Sequence, residues 1–237
     1  MVDYKWPDGA ATAAKIKNDF GPRTMLAFSR GKDSIAAWLA IRSVFEEVIP
    51  IYRAMVPGLE FIEESLDYYE RAFGVKIWRM IHPKFYKQLK TFLFQTPRQA
   101  AIIAAANLPD FTYEDVNYIV ADAVSLSRDK VMVATGIRVI DSLNRRAGFA
   151  VHGPISVNRR SYMPVWDWSK DRLCSEIERS GIKLPRDYLM YPRSFDGLGP
   201  QYLVPMKKHF PRDYARVLEW FPLADLEVWR YERQAAR

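Results

Sequence analysis

The sequence contains very little cysteine and histidine. Cys174 is the single cysteine among 237 residues. One thiol excludes an intrachain disulfide, a zinc site built on cysteines, and an iron–sulfur cluster held by this chain alone. His82, His152 and His209 are the only histidines, and no two of them stand at metal-ligand spacing. We therefore expect no zinc, no iron–sulfur cluster and a cytoplasmic protein.

Long hydrophobic runs and blocks of like charge are also missing. No apolar run approaches the roughly 20 residues that cross a bilayer, so no membrane partner is expected. The first 20 residues lack the apolar middle of a signal peptide. The formal net charge is nevertheless +7. A nucleic-acid partner, a nucleotide substrate and a merely solvated basic surface all remain compatible with that charge.

Short apolar segments alternate with helical patterns along most of the chain. The strands are expected within residues 24–29, 47–55, 75–81, 129–138 and 159–168. Strands that alternate with helices favour an α/β fold, here a doubly wound, mostly parallel, five-stranded sheet. In such sheets ligands bind at the carboxyl ends of the strands.

Two regions of the chain are predominantly helical. One runs from residue 83 to about 128, with breaks at Thr96-Pro97 and Leu108-Pro109, and the other follows residue 169. We expect residues 1–168 to form a nucleotide-binding α/β domain with a helical insertion at 83–128. Residues 169–237 then form a helical C-terminal region on the same domain. No motif predicts the oligomeric state or a protein partner.

A polar turn between the first strand and its helix is the strongest local signal. It reads Ser29-Arg30-Gly31-Lys32-Asp33-Ser34. The common nucleoside-triphosphate loop needs a glycine where Leu26 stands and a hydroxyl where Asp33 stands, so that motif is excluded. The dinucleotide fingerprint needs three glycines and is excluded as well. Main-chain N–H groups, a helix start and two serine hydroxyls still suit an anionic group.

The turn resembles the Ser-Gly-Gly-x-Asp-Ser signature of the PP-loop ATP pyrophosphatase superfamily, whose fold is adenine nucleotide alpha-hydrolase-like. It departs from the signature at Arg30, which needs a permissive backbone and could itself reach phosphates. Lys32 adds a cation, and Asp33 either caps the helix or holds Mg²⁺. The alternative is a surface turn in which Asp33 only caps the helix.

Later segments resemble the phosphoadenosine phosphosulfate (PAPS) reductase family within that superfamily. "MVPGLEFIEE" matches it in part, through Gly58 and Glu60. "ATGIRVIDSLNRR" matches the family's Thr-Gly-x-Arg segment, followed by an acidic residue and a further arginine. "MPVWDWS" matches a segment that opens a late helix, an element we interpret as structural. A helix surface on which Asp141 pairs with Arg145 is the alternative for the second segment.

Members of the family that act as reductases need a nucleophilic cysteine near the C-terminus, and no cysteine follows Cys174 in this sequence. The helical pattern around Cys174 favours a packing role for its side chain. The resemblance therefore implies cleavage of ATP between its α- and β-phosphates, which adenylates an acceptor and releases pyrophosphate. A sulfonucleotide binder that uses a partner's thiol and a nucleotide- or nucleic-acid-binding module without turnover remain alternatives.

The resemblance also implies a site. Lys32, Asp33 and Arg138 are the expected catalytic residues, and ATP, adenosine phosphosulfate (APS) or PAPS with Mg²⁺ at Asp33 are the expected cofactors. The expected nucleotide-binding residues are Ala27, Phe28, Ser29, Arg30, Gly31, Lys32, Asp33, Ser34, Tyr52, Arg53, Gly58, Gly136, Arg138 and Arg145.

Overall fold

A computed structural model describes residues 6–191 and 194–235 of the chain. Its strands are β1 (Arg23–Ala27), β2 (Glu47–Ala54), β3 (Trp78–Ile81), β4 (Val133–Ala134), β5 (Ile155–Ser156) and β6 (Ser161–Tyr162). They form one sheet in the order β3-β2-β1-β4-β6-β5. β1 pairs in parallel with β2 and with β4, β4 pairs in parallel with β6, and β5 is antiparallel to β6.

The prediction of an α/β fold with a mostly parallel sheet is confirmed. The sheet has six strands rather than the expected five. The additional strand, β5, has only two residues, Ile155 and Ser156. A segment this short shows no periodicity of its own, so only its antiparallel pairing with β6 identifies it as a strand.

The helices flank the sheet and follow the predicted order closely. They are α1 (Gly9–Phe20), α2 (Lys32–Ile41), α3 (Glu60–Phe73), α4 (Pro83–Lys90), α5 (Pro97–Ala106), α6 (Tyr113–Ala123), α7 (Leu143–His152), α8 (Lys170–Ser180), α9 (Pro200–His209), α10 (Pro211–Trp220) and α11 (Ala224–Ala235). Both predicted breaks in the helical insertion separate helices. No helix within the described ranges has the length and apolarity needed to cross a bilayer.

The central strand β1 is buried on both faces because both are covered by other elements. Met25 and Leu26 have no exposed surface. Thr24, also fully buried, donates a hydrogen bond from its hydroxyl to the carbonyl oxygen of Met132 at 3.0 Å. The Tyr162 hydroxyl lies 3.1 Å from that of Thr24, and burial raises the pKa of Tyr162. A buried polar chain therefore links β1 to β4 and β6.

The chain divides into two compact units that interleave along the sequence. The first comprises residues through Tyr52, Glu70–Trp78 and Asn117–Leu184. The second comprises Arg53–Tyr69, Arg79–Val116 and the chain from Pro185 onward. The expected division at residue 168 stays a prediction.

Aromatic side chains and a helix cap organise each unit. In the first, the Phe73 ring stacks on Trp38 with centroids 4.2 Å apart and meets Phe28 edge-on at 5.3 Å. In the second, Phe61 stacks on Phe210 at 4.7 Å. There the buried carboxylate of Asp213 also accepts hydrogen bonds from the first backbone N–H groups of α3. A carboxylate at that position satisfies donors that the helix itself leaves open.

Candidate functional site

The sheet order places the turn after β1 at a topological switch point. From β1 the chain continues to β2 on one side of the sheet, and it later returns as β4 on the other side. The connections that leave β1 and β4 thus diverge at their carboxyl ends and open a crevice, which is where open α/β sheets bind ligands. The polar turn 29–34 follows β1, and Thr135–Arg138 follows β4, so both motifs meet at this crevice.

The turn is closed by its own serines. The Ser34 hydroxyl donates to the Gly31 carbonyl oxygen at 2.8 Å and accepts from the Ser29 backbone N–H at 3.2 Å. The two serine hydroxyl oxygens are 3.3 Å apart. Gly31 is the N-cap of α2, and no side chain caps the helix. The interpretation of Asp33 as the cap is therefore wrong, since Asp33 lies in the first helical turn.

The uncapped start of α2 has the properties of an anion site. The first N–H groups of any helix lack carbonyl partners within the helix, and the helix dipole makes this end positive. Ser29 is exposed while Ser34 is buried beneath the turn. A phosphate-sized anion at this end would meet main-chain donors together with the exposed Ser29 hydroxyl.

Arg30 takes the backbone conformation that its position in the turn demands. Its φ angle is +65°, in the left-handed region that favours glycine. Its side chain has no exposed surface, and its guanidinium carbon lies 5.7 Å from the centre of the Tyr52 ring. Arg30 therefore points into the protein, where it packs by Tyr52. The predicted need for a permissive backbone is confirmed.

Five side chains of alternating charge run along one side of the crevice. Lys32 Nζ lies 2.8 Å from Asp33 Oδ2, and Arg138 Nε lies 3.1 Å from Asp33 Oδ1. Arg138 Nη2 then contacts Asp141 Oδ1 at 2.7 Å, and Arg145 Nη1 contacts Asp141 Oδ2 at 3.0 Å. We call this series the charge ladder. Both carboxylates of the ladder are thus neutralised by neighbouring cations.

Within the ladder, Arg138 and Arg145 differ in their exposure. The Arg138 side chain is 4% exposed and the Arg145 side chain is 47% exposed. A third guanidinium contact ties Arg138 to the Trp168 carbonyl oxygen at 3.4 Å. Arg138 thus holds the turn against the segment after β4, whereas Arg145 and Lys32 remain accessible. The Asp141–Arg145 pair considered from the sequence is present.

Gly136 allows the two motifs to approach each other. A Cβ atom added to Gly136 would lie 2.4 Å from the Asp33 carbonyl oxygen and 2.8 Å from the Ser34 backbone nitrogen. Real Cβ contacts of this length essentially do not occur. Because the neighbouring atoms belong to the backbone, they have no rotamer to change. The contact therefore requires glycine at position 136.

The predicted adenine contacts lie in part within the same unit. Ala27 ends β1, and the Phe28 backbone N–H donates to the Ile51 carbonyl oxygen at 3.0 Å. Phe28 and Tyr52 are both buried. The structure therefore brings together Ala27–Ser34, Tyr52, Gly136, Arg138 and Arg145. Arg53 and Gly58 belong to the second unit.

A histidine and tyrosine of the second unit were missed by the sequence analysis. His82 Nδ1 accepts from the Lys84 backbone N–H at 2.9 Å, and His82 Nε2 lies 3.3 Å from the Tyr113 hydroxyl. Burial, together with the positive charge of Arg53, lowers the pKa of His82 to about 4. The guanidinium carbon of Arg53 lies 5.5 Å from the centre of the Tyr113 ring, and burial lowers the pKa of Arg53 to about 10. The position of His82 directly after β3 was the available sequence signal.

The fold and these contacts define an α/β protein with an anion-type turn at the switch point of a mostly parallel sheet. No family model and no curated protein matches the sequence. Many solved structures, including the following two, are similar in fold. PAPS reductase from Candida auris, in a phosphate complex, has 13% identity and a TM-score of 0.45, and the alignment covers 77% of this chain and 84% of that one. The U34-tRNA thiolase NcsA from Methanococcus maripaludis has 14% identity and a TM-score of 0.44, with 91% and 79% covered.

At these identities the two likenesses concern the fold and carry no argument about activity. They do require one correction to the expected cofactors. The single cysteine predicts that this chain has no iron–sulfur cluster, but NcsA, with a similar fold, has a [4Fe-4S] cluster. That prediction is withdrawn. Within residues 6–191 and 194–235, no group of three or more His, Cys, Asp or Glu side chains could hold a metal ion.

The cysteine prediction also needs a correction. The helical pattern around Cys174 favours a packing role, with Leu173 and Ile177 on the same helix. In the structure Leu173 and Ile177 are buried, whereas Cys174 is exposed on α8. Cys174 therefore does not share the buried face of α8, and the predicted packing role of its side chain is wrong.

Proposed function

We propose that the chain binds the phosphate chain of an adenine nucleotide at the turn 29–34 and cleaves ATP between its α- and β-phosphates to activate an acceptor. The observation that carries the proposal is the uncapped start of α2 at the sheet's switch point, closed by Ser29 and Ser34. This arrangement supplies main-chain donors to an anion without a protein nucleophile.

The chemistry asked of the site is positioning and charge stabilisation. Attack of an acceptor oxygen on the α-phosphorus forms the adenylate, and the bond from that phosphorus to the bridging oxygen breaks, so that pyrophosphate leaves. The developing charge on pyrophosphate is met by the N–H groups at the start of α2 and by Lys32, whose ammonium group is accessible. The buried Arg138 holds the turn in place through its ion pair with Asp33. Arg145 is exposed and remains available to contact the nucleotide.

A binding experiment tests the turn directly. Calorimetry with ATP should show about 10–100-fold weaker binding for Lys32→Ala, because one charge-assisted interaction is removed. Ser34→Ala should weaken binding as well, since the hydroxyl that closes the turn is lost. Lys15→Ala, at an exposed lysine of α1 that pairs with Asp19, is the matched control. Equal affinity for all of these proteins would refute the proposal.

Turnover is tested separately by pyrophosphate release from ATP, with and without added DNA, RNA or protein acceptors. The net charge of +7 is the reason to include nucleic acids. Release that requires an acceptor and is lost in Lys32→Ala is the expected result. Calorimetry with APS and PAPS in place of ATP identifies the preferred nucleotide.

Nucleotide binding without turnover is the second candidate function. The observation that favours it is the charge ladder, in which the buried guanidinium of Arg138 already contacts two carboxylates. Because two carboxylates already neutralise the charge of Arg138, this guanidinium would add little to the stabilisation of negative charge on departing pyrophosphate. Tight ATP binding with no pyrophosphate after hours, with every acceptor, would favour this candidate over cleavage.

A further inference from the structure

The second unit contains a cavity that the proposed ATP reaction does not use. Its volume is about 590 Å³, within the usual range for small-molecule sites. It lies between α4, the turn that follows it, and the segment that leads into α9. Both polar and apolar side chains line it, and the polar ones include one cation, Lys84, and one carboxylate, Asp196.

One side of the cavity suits a carboxylate. Lys84 lines it and is exposed, with its ammonium nitrogen 3.4 Å from the Asp196 carbonyl oxygen. The start of α9 lines it as well, through Gly199, and no side chain caps this ten-residue helix. The positive end of the helix and the lysine together provide positive charge for one anionic group.

The cavity also contains acceptors that call for a donor. Gln88 lines it, and Oε1 of this side chain is buried with no hydrogen-bond partner among the described residues. If the amide were turned around, a nitrogen would be left in the same place, so either orientation leaves a buried polar atom. Asp196 adds a negative charge to the lining. Leaving a buried acceptor without a partner is unfavourable, and a ligand donor would remove that penalty.

The remaining wall is apolar. Leu93, Phe94 and Tyr202 contribute it, and Phe94 takes a left-handed backbone conformation with φ of +55°. That conformation is strained for an aromatic residue, and such strain is typically found at ligand sites. The wall provides room for an uncharged side chain next to the charged groups.

From this combination we propose that the cavity binds an apolar α-amino acid as its zwitterion. The ligand carboxylate contacts Lys84 and the start of α9, the ligand ammonium donates to Gln88 Oε1 and faces Asp196, and the ligand side chain packs on Phe94 and Tyr202. A simple carboxylate would leave Gln88 Oε1 without a donor, and a simple amine would provide no anion for Lys84 and the helix start. This site is separate from the proposed nucleotide reaction and does not depend on it.

Calorimetry on the full chain tests the assignment with three probes of matched size. L-phenylalanine carries both charged groups, 3-phenylpropionate lacks the ammonium and 2-phenylethylamine lacks the carboxylate. We expect saturable binding of L-phenylalanine and at least about tenfold weaker binding of the other two, since each loses one charged contact. No saturable binding of L-phenylalanine up to its solubility, or equal affinity for all three probes, would overturn the proposal.

Variants locate the binding. Lys84→Gln and Gln88→Met should each weaken L-phenylalanine binding about tenfold. Lys87→Gln, on the same helix but outside the lining, should leave the affinity unchanged. Unchanged affinity in both lining variants would also overturn the proposal. The three-probe comparison on the unaltered chain remains a test even if a variant folds poorly.

Discussion

Substituting Gly136 by alanine probes the closest approach between the two motifs of the candidate site. The new Cβ would meet the backbone of Asp33 and Ser34 at 2.4 to 2.8 Å. Ordinary van der Waals contact begins near 3.4 Å, so either the start of α2 or the segment after β4 has to move by more than half an ångström. Overpacking of this kind costs about 1–3 kcal/mol in the free energy of unfolding.

Gly148 provides a matched control on α7. A Cβ added at that position meets nothing within 4 Å. Gly148→Ala should therefore stabilise the protein by about 0.5–1 kcal/mol, because alanine is the better helix former. The two substitutions add the same methyl group to the same protein, and they are expected to change its stability in opposite directions.

Urea unfolding followed by tryptophan fluorescence measures both effects. The Gly136→Ala midpoint should fall at an unchanged slope, and the Gly148→Ala midpoint should rise. Because the displaced backbone carries the proposed phosphate donors, Gly136→Ala should also weaken ATP binding, whereas Gly148→Ala should not. A Gly136→Ala midpoint equal to that of the unaltered protein would show that the motifs do not touch, and the description of the crevice would be wrong.

Two further predictions concern titration and the charge ladder. Because burial lowers the pKa of His82 from 6.5 to about 4 on folding, the unfolded chain binds more protons there within that interval. His82 should therefore reduce the free energy of unfolding as pH falls from 6.5 to 4, by about 1–2 kcal/mol, since solvent screening at the partly exposed imidazole reduces the effect of the full shift. His82→Asn keeps a capping side chain without this titration, so urea unfolding of both proteins at pH 7 and pH 4 should show that difference, and identical pH dependences would contradict it. Arg138→Met should lower the free energy of unfolding by about 2–3 kcal/mol. This is less than the loss expected on breaking a fully buried ion pair, because the side chains of Asp33 and Asp141 are a third and a quarter exposed. Arg145→Met, at the exposed end of the same ladder, should lower the free energy of unfolding by less than about 1 kcal/mol. Equal losses for the two variants in urea unfolding would show that the buried Arg138 stabilises the protein no more than the exposed Arg145.

Much of the fold could be predicted because the relevant signals are local. Apolar runs bounded by glycine and proline identified five of the strands, and Pro97 correctly marked the start of α5. Ser169 was expected to open a late helix, and it caps α8 by accepting from the Arg172 backbone N–H at 3.1 Å. In each case neighbouring residues in the sequence determine the local structure.

The candidate site was less predictable because its contacts are distant in sequence. The turn, the segment after β4 and the Asp141–Arg145 pair were identified, but the ion pairs of Asp33 with Lys32 and Arg138 were not. The ligand contact expected of Arg138 stays a prediction, but its pairing with Asp33, 105 residues earlier, could not be predicted from neighbouring residues. A phosphate contact by Arg30 stays a prediction. The permissive backbone at Arg30 was predicted from the turn, but the burial of its side chain was not.

The central position of β1 has a consequence for the order in which the site can be built. β1 pairs with β2 within a short stretch of chain, but its second neighbour, β4, begins more than a hundred residues after β1 ends. During synthesis from the N-terminus, the turn is made early and its supporting wall much later. For that interval one edge of β1 is open, and a factor that protects the nascent protein would have to cover that edge until β4 pairs with it.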